Sequence, residues 1–525
     1  MRHHPSADVA PAVPMLRGVS VAVAGRQFAA WHGLMTVVAV ALVLRLWGLG
    51  NRSFFGDEVY SLQIAEQKTA AQLLHHAQKL ERHPPLPHLI SRVIYLAGAR
   101  GEFQWRLFGA FCGVAIAALA FLVPLYFGAP QLSLPAGILA ATAPMGVLFS
   151  QVNRWYPLAG ALLGLAILCT VIGARRGSLG AWIAAGLALA LAFYTVYLAA
   201  AVGAVILLMA LVHLLRRRAE LRGWMWAVAV TVLCTAPWLP YFLWMLREGK
   251  VQLDPAQTAL FALGKALLLL QNLAVGPTVL PWSWAVNLSA AALYLMLLRA
   301  LVRSEHVEIR RTSAAAGWFM VLCFPIMLVA SASSAPRYWL VLLVPWTMLV
   351  AGGLVSLRSA VGRGLAVAAL AALIGYGLVN LYTVRQYQYL ELADDWPDLA
   401  AQVRVLEQPG DEVWTLASPF VYYYGGATEY VMDWGWDPDG LRQHLTARHP
   451  HRIILQYSPL SGWEGTPFER VARTIGGQLE DAGYRRQWQK QWGRDPQVEM
   501  KRRYLRGRTF PEYRHAAELW VHEPQ

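Results

Sequence analysis

The chain has 525 residues, of which 57% are hydrophobic and 14% are charged. Soluble domains carry about 25% charged residues, so this composition excludes an ordinary soluble protein and predicts a polytopic membrane protein. The net charge of +14 reflects arginines clustered in short connections between apolar segments, which indicates membrane topology and argues against nucleic acid as a partner. The four cysteines lie inside apolar segments, which predicts small core residues and no disulfide or metal site.

A retained first helix is predicted after an N-terminal tail, residues 1–30, that carries Arg2, Arg17 and Arg26. A cleavable signal peptide is the competing interpretation. The apolar run 31–49 is longer than a typical signal-peptide core, and no small-residue cleavage site follows it. We therefore expect a cytoplasmic tail.

Apolar segments that can span a membrane follow along the chain, because about 20 residues at 1.5 Å each cross the hydrocarbon. Eleven segments qualify: 31–50, 105–128, 130–150, 156–174, 179–195, 197–215, 223–246, 280–300, 314–331, 338–357 and 364–384. Two weaker segments, 86–100 and 259–276, are shorter or interrupted by polar residues. All the basic turns fall in the cytoplasm only if these two lie in or re-enter the outer interface, which predicts 11 crossings and an external C-terminus.

The composition after residue 384 becomes that of a soluble domain. Helices are predicted at 394–407, 441–448 and 467–482, and buried strands at 411–416 and 452–457. This alternation predicts a small external α/β domain over 385–525. The predicted fold is therefore an α-helical polytopic membrane protein with a small C-terminal α/β domain.

The first external loop, 51–104, carries two adjacent carboxylates, Asp57 and Glu58, just outside the first span. Such a pair is unusual here, because no Asp or Glu occurs from 103 to 219. One interpretation is that the acids cap a helix beginning near Val59. The other is general-base catalysis, because an acid in a partly apolar setting can accept the proton of an attacking hydroxyl.

The same loop contains a His-Pro-Pro-Leu-Pro-His motif at 83–88. Its three prolines predict an extended or tight-turn backbone and exclude regular helix. The motif is either only a rigid link to segment 86–100, or a link that also presents His83 as a donor near an external pocket. The sequence leaves both interpretations open.

Three arginines lie at span ends on the predicted external side: Arg106, Arg154 and Arg337. Arginines at span ends are ordinarily snorkelling anchors, but anchors on this face would oppose the positive-inside bias. Carboxylates are scarce in this part of the chain, so the expected partner is an external anion such as a lipid phosphate, which the planar guanidinium fits well. Arg45, inside the first span, is expected to pair with the headgroup boundary or with an acid of the first loop.

Six short motifs occur in a fixed order along the membrane part of the chain. They are Leu44-Arg-Leu-Trp-Gly-Leu49, Phe55-Gly-Asp-Glu58, His83-Pro-Pro-Leu86, Trp105-Arg-Leu-Phe-Gly-Ala110, Ser150-Gln-Val-Asn-Arg-Trp-Tyr156, and Pro336-Arg-Tyr338 followed by Leu343-Val-Pro345. Together they resemble the GT-C superfamily of membrane glycosyltransferases, in particular the bacterial relatives of protein O-mannosyltransferases and the aminoarabinose transferase of lipid A. The resemblance covers 31–384 and implies a transmembrane catalytic domain there.

The resemblance also implies roles for individual residues. Asp57 would act as catalytic base or coordinate the acceptor, with Glu58 supporting it, and external arginines would contact the lipid phosphate. Sugar transfer would invert the anomeric centre. The residues predicted to bind substrate are His83, Arg106, Arg154, Tyr156, Arg337 and Tyr338.

One departure from the family pattern concerns metal binding. Relatives often have an acid shortly before the arginine of the Ser-Gln motif, where this chain has Val152 and Asn153. If that acid binds a metal or orients the acceptor, the function is missing here or is supplied from elsewhere; the candidate acids are Glu58, Glu66 and Glu102. The sequence therefore leaves a divalent metal cofactor open.

We expect a glycosyltransferase that moves a hexose or pentose from a polyprenyl-phosphate donor to a glycolipid, polysaccharide or protein acceptor. It would act on the external face of a bacterial inner membrane, with a periplasmic C-terminal domain. A transporter or flippase of lipid-linked sugars is one alternative, although such proteins usually show paired repeats and mid-membrane charges. An O-antigen ligase or polymerase is the other, although its long external loop comes late in the chain. The sequence identifies neither sugar nor acceptor.

Overall fold

The computed structural model describes residues 20–23, 26–81, 83–248, 259–330, 336–383, 394–415, 417–430, 438–457, 467–494 and 513–523. The chain forms two compact units. The membrane unit comprises 1–49 and 67–388, and the C-terminal unit comprises 50–66 and 389–525. The short segment 50–66, which belongs to the first predicted external loop, therefore packs with the C-terminal part of the chain.

Helices dominate the described residues up to 383. A short antiparallel pair, β1 (Ser20–Val23) and β2 (Arg26–Ala29), precedes them within the predicted N-terminal tail. The helices are α1 (Ala30–Leu46), α2 (Gly56–Ala65), α3 (Ala70–Leu80), α4 (Pro85–Leu96), α5 (Gly101–Phe127), α6 (Ser133–Thr142), α7 (Pro144–Ser150), α8 (Tyr156–Arg176), α9 (Leu179–Phe193), α10 (Leu198–Arg216), α11 (Arg222–Thr235), α12 (Leu239–Arg247), α13 (Ala259–Ala274), α14 (Trp284–Val302), α15 (Val307–Ala330), α16 (Leu343–Val355) and α17 (Ala360–Thr383). In the described part of the chain, three 3-10 helices connect them, at Pro130–Leu132, Ala236–Trp238 and Pro336–Leu342.

Among the described residues, seven helices are long and apolar enough to cross a membrane. They are Gly101–Phe127, Tyr156–Arg176, Leu198–Arg216, Arg222–Arg247, Trp284–Val302, Arg337–Val355 and Ala360–Thr383. The pair Pro130–Thr142 and Pro144–Ser150, bent by 53°, forms an eighth span if it is counted as one. The chain is thus a multi-pass membrane protein, and the number of 11 crossings stays a prediction.

The α5 helix lies at the centre of the membrane unit and packs against α1, α6 and α8. Small residues allow this close approach. A Cβ at Gly33 would lie 2.9 Å from Phe121, and a Cβ at Gly137 would lie 2.7 Å from Val37. Membrane helices commonly use such small residues to bring their backbones together.

The C-terminal unit contains a five-stranded sheet in the order β4-β3-β5-β7-β6. The strands are β3 (Glu412–Thr415), β4 (Glu429–Tyr430), β5 (Arg452–Tyr457), β6 (Tyr484–Arg494) and β7 (Tyr513–His522), and the helices are α18 (Trp396–Leu406), α19 (Ser418–Tyr424), α20 (Pro438–Arg448) and α21 (Pro467–Asp481). Strand β3 runs parallel to β4 and β5, whereas β7 is antiparallel to β5 and β6.

Both faces of this sheet are covered, because alternate residues of β5 face opposite sides. Ile453 packs in a core with Leu441 and Leu479 from α20 and α21. Ile454 packs in a second core that contains Leu399 from α18 and Phe420 from α19. The predicted class, a helical membrane protein with a C-terminal α/β domain, is confirmed.

Candidate functional site

Asp57 and Glu58 lie in the first turn of α2, which begins at Gly56 rather than near Val59. Glu58 is fully buried, and its Oε2 accepts a hydrogen bond from the Phe55 backbone N–H at 3.2 Å. This is half of a capping box, in which the acid at the third helical position satisfies the amide of the N-cap residue. Asp57 remains partly exposed. The helix-capping interpretation therefore holds for Glu58.

Arg154 lies between α7 and α8 and is held by the first loop. Its Nη1 donates to Glu81 Oε1 at 2.5 Å, and its Nη2 lies 3.3 Å from His83 Nε2. Both side chains of the Arg154–Glu81 pair are only 4% exposed, so water screens the pair little. The expected partner of Arg154 was an external anion; the structure shows in addition a carboxylate of the chain itself, Glu81.

His88 completes this polar cluster of Glu81, His83, His88 and Arg154. Its Nε2 lies 3.9 Å from Glu81 Oε2, which is too long for a hydrogen bond. Burial lowers the pKa of His88 to about 4, and the attraction of Glu81 only partly opposes this effect. The imidazole is therefore neutral at pH 7, and Arg154 is the cation that neutralises Glu81.

The proline motif at 83–88 does not exclude helix, contrary to the sequence expectation. Helix α4 begins at Pro85 and includes Pro87 in its first turn. Prolines are compatible with this position, because the first amides of a helix have no intrahelical acceptor. The motif thus starts α4, and places His88 inside the unit and His83 beside Arg154.

Arg337 lies in the 3-10 helix before α16, against two tyrosines. Its guanidinium carbon is 5.4 Å from the centre of the Tyr156 ring and 6.0 Å from that of Tyr338. The two rings meet edge to face at 5.0 Å. Such a cation–π arrangement orients the guanidinium without neutralising its charge.

A small, partly open pocket adjoins these three residues. Its remaining wall is apolar and comes from α8, the start of α10 and the 3-10 helix; the residues are Ala159, Val196, Leu198, Ala199 and Val341. One cation, two phenols and an aliphatic wall suit a ligand with an anionic head and a hydrocarbon tail.

Arg106 is 2% exposed, and its Nη1 donates to the carbonyl of Leu49 at 3.3 Å. Gln151 acts similarly, because its Nε2 donates to the carbonyls of Leu44, Arg45 and Trp47 at 2.8–3.2 Å. These contacts satisfy carbonyls in the last turn of α1, which have no partner within the helix, and carbonyls of the residues that follow it. The Ser-Gln motif therefore has a structural role in addition to carrying Arg154.

Arg45 corrects another expectation, since it pairs neither with the headgroup boundary nor with a loop acid. It is fully buried and donates to the carbonyls of Ala141 at 2.8 Å and Ala140 at 3.3 Å, and to Ser150 Oγ at 3.3 Å. The carbonyl acceptors are the last turn of α6, just before Pro144 starts α7. Arg45 thus caps the break between these two helices.

No group of three or more His, Cys, Asp or Glu side chains that could hold a metal ion occurs among the described residues. The acids considered as substitutes for the missing family acid have different positions. Glu58 is buried in the helix cap, whereas Glu66 and Glu102 are not buried. Glu81, which the sequence reasoning did not single out, is the acid that contacts Arg154, and its proximity to His83 in the sequence was the available signal.

Comparison with known proteins agrees with the resemblance predicted from the motifs. A family model described as dolichyl-phosphate-mannose-protein mannosyltransferase matches residues 82–241, under a third of the chain. No curated protein matches the sequence.

Solved structures show the same fold. ArnT from Cupriavidus metallidurans in the apo state has a TM-score of 0.53 at 16% identity, covering 82% of this chain and 94% of that chain. ArnT bound to undecaprenyl phosphate has a TM-score of 0.54 at 15% identity, covering 95% and 100%. The arabinofuranosyltransferase AftD from mycobacteria has a TM-score of 0.52 at 14% identity, covering 97% of this chain but 42% of AftD. The chain has the fold of the GT-C superfamily of membrane glycosyltransferases.

Proposed function

We propose that this chain is a GT-C glycosyltransferase that moves a sugar from a polyprenyl-phosphate donor to an acceptor on the external face of a bacterial inner membrane. The observation that carries the proposal is the pocket beside Tyr156, Arg337 and Tyr338, in a chain that has the GT-C fold. The similarity to ArnT, solved with undecaprenyl phosphate bound, supports the choice of donor.

The pocket matches the two chemical halves of such a donor. A phosphate needs a cation, and the planar Arg337 guanidinium lies against the tyrosine rings at the pocket. An isoprenoid chain needs an apolar wall, which α8 and α10 supply. In this proposal the phosphate end of the donor lies against the pocket, while the rest of the lipid remains in the bilayer.

The Arg154 cluster supplies a second phosphate ligand in this proposal. Glu81 contacts Nη1 of Arg154 and His83 contacts Nη2, so the guanidinium is held in one position. Arg154 lies two residues before Tyr156, at the start of the helix that lines the pocket. A pre-positioned guanidinium stabilises developing phosphate charge without reorganising during the reaction.

Asp57 would be the base. The acceptor O–H loses its proton to the Asp57 carboxylate as its oxygen attacks the anomeric carbon. The bond from that carbon to the phosphate oxygen breaks, and the polyprenyl phosphate leaves with the electron pair and is stabilised by arginines. Attack opposite the leaving group inverts the anomeric centre. Glu58 would act indirectly, by fixing the turn that carries Asp57.

The donor class is testable with membranes that contain the overproduced protein. Radiolabelled undecaprenyl monophosphate mannose and undecaprenyl monophosphate arabinose are supplied as a hexosyl and a pentosyl probe, with the corresponding diphosphates as controls. We expect label to leave the lipid fraction from a monophosphate donor only, with release of undecaprenyl phosphate. Transfer from the diphosphates alone would favour a ligase or polymerase, and no transfer from any donor would count against the proposal.

A further inference from the structure

The segment that carries Asp57 is structurally part of the C-terminal unit. It follows the first span in the sequence, yet residues 50–66 cluster with 389–525 rather than with the membrane helices. Within this unit, α2 packs directly against α19. The conformation of the turn that carries Asp57 therefore depends on the C-terminal domain.

Phe54 is the anchor of this contact. Its side chain is fully buried, and its ring meets Tyr422 edge to face at 5.5 Å and stacks near Tyr423 at 6.5 Å. Its backbone N–H donates to the Tyr423 hydroxyl at 2.6 Å, and the Ser53 hydroxyl donates to the backbone carbonyl of Asp394. These bonds fix the two residues immediately before the N-cap of α2.

Helix α19, which carries Tyr422 and Tyr423, is itself fixed by contacts within the C-terminal unit. Helix α19 follows β3, and its Phe420 is fully buried in the core between the sheet and α18. The Arg404 side chain of α18 donates to the carbonyls of Tyr423 and Tyr424 at 2.6 Å each. These carbonyls end α19 and would otherwise have no helical partner. The Arg404 side chain therefore fixes the main chain at Tyr423.

We propose that the C-terminal domain is the platform that positions Asp57, and that Tyr423 is a positioning residue that acts through the amide of Phe54. This role rests on the proposed function, since it matters for catalysis only if Asp57 is the base. A general base must stay within hydrogen-bonding distance of the proton it removes, and small misplacements lower the rate strongly.

The test replaces Tyr423→Phe in the full-length protein, which removes one hydroxyl and keeps the ring. Tyr457→Phe is the matched control, because it deletes a part-buried hydroxyl of the same domain that donates to Glu518 at 3.1 Å. Hydrogen exchange of peptides covering 53–66 reports on the segment. Initial rates with the monophosphate donor used by the wild-type protein report on catalysis.

We expect exchange of the Phe54 amide to rise about ten-fold in Tyr423→Phe, with kcat about ten-fold lower and an unchanged KM for the donor. Tyr457→Phe should change neither the exchange of the Phe54 amide nor kcat. Both variants should melt at similar temperatures. An unchanged exchange rate in Tyr423→Phe, or an equal effect of the two variants, would overturn the platform.

Failure of the proposed function gives a different pattern. If the wild-type protein transfers from no donor, the catalytic part of the platform is overturned with it, whatever the exchange data show. If transfer occurs and exchange rises without any loss of kcat, the proposed function survives and the positioning role of Tyr423 is overturned.

Discussion

Arg45 and Arg154 are two buried arginines of the membrane unit whose guanidinium groups contact different kinds of acceptor. Arg45 contacts neutral acceptors, the carbonyls at the end of α6 and the Ser150 hydroxyl. Arg154 contacts a carboxylate, Glu81, beside the His83 ring. Carbonyls at a helix C-terminus carry partial negative charge and complement a cation locally. In contrast, the Glu81 carboxylate holds the Arg154 guanidinium from the predicted first external loop.

Burial of an arginine in a membrane protein therefore does not by itself indicate a ligand site. Arg45 closes a break in a bent helix pair, so its role is explained by the backbone it satisfies. Arg154 lies two residues before the pocket-lining Tyr156, which begins α8. We therefore expect changes at Arg45 to affect stability and changes at Arg154 to affect transfer.

The largest expected effect is on transfer in Arg154→Gln. We expect the rate from the monophosphate donor to fall by about 100-fold, as when one preorganised donor to a developing charge is lost. The single variant should also melt at a lower temperature, because Glu81 stays buried without its cation.

The double variant Glu81→Gln with Arg154→Gln separates these two effects. Removing both charges should restore most of the melting temperature but none of the transfer. Recovery of transfer in the double variant would show that Arg154 only neutralises Glu81, as Arg45 only satisfies carbonyls.

The Arg45 region is tested by adding one methyl group at Gly113. A Cβ there would lie 2.0 Å from Ser150 Oγ and 2.4 Å from Arg45 Nε, so the bonds at the helix break must shift. We expect Gly113→Ala to lower the free energy of unfolding by about 2 kcal/mol, as overpacking does, measured by thermal melting in detergent. Gly375→Ala is the control, because a Cβ there meets nothing within 4 Å. Equal melting of the two variants would mean that the Arg45 contacts carry little stability.

The smallest expected effect concerns the pH dependence of the Arg154 cluster. Burial lowers the pKa of His88 to about 4 from its ordinary 6.5, and Glu81, His83 and Arg154 are the charged or titratable groups around it. Because the unfolded chain binds the proton more tightly, the stability from this site is complete above about pH 6.5 and is lost as the pH falls towards 4.

We expect about 1 kcal/mol of this loss between pH 7 and 5.5. Melting temperatures of the wild-type protein and His88→Gln over this range measure it, since the variant should lose this part of the slope. Parallel slopes would mean that the pKa of His88 is the same in the folded and the unfolded protein.

Period and composition predicted much of the fold. The elements α18, β3, β5, α20 and α21 overlap the predicted segments, because short apolar runs indicate the buried strands and the spacing of apolar residues indicates the helices. Strands β6 and β7 were missed, since their charged residues and tryptophans hide the period. The polar contacts could not be predicted at all. Glu81 and Arg154 are 73 residues apart, and Arg45 is 95 residues from Ala140, so only tertiary packing brings them together.

The two adjacent acids show the same limit at one position. The sequence offered capping and catalysis for both Asp57 and Glu58. In the structure Glu58 caps the helix by accepting a hydrogen bond from the Phe55 amide, whereas Asp57 is partly exposed. The roles of the two acids differ because a capping box uses only the third residue of the helix.

The transfer rate of Asp57→Asn relative to Glu58→Gln therefore tests the proposed chemistry most directly. Glutamine can still accept from the Phe55 amide, so Glu58→Gln should lose less than about ten-fold. Asp57→Asn keeps its shape but cannot accept the acceptor's proton, and its rate should fall by at least about 100-fold. Undiminished transfer in Asp57→Asn, or an equal loss in both variants, would contradict Asp57 as the base.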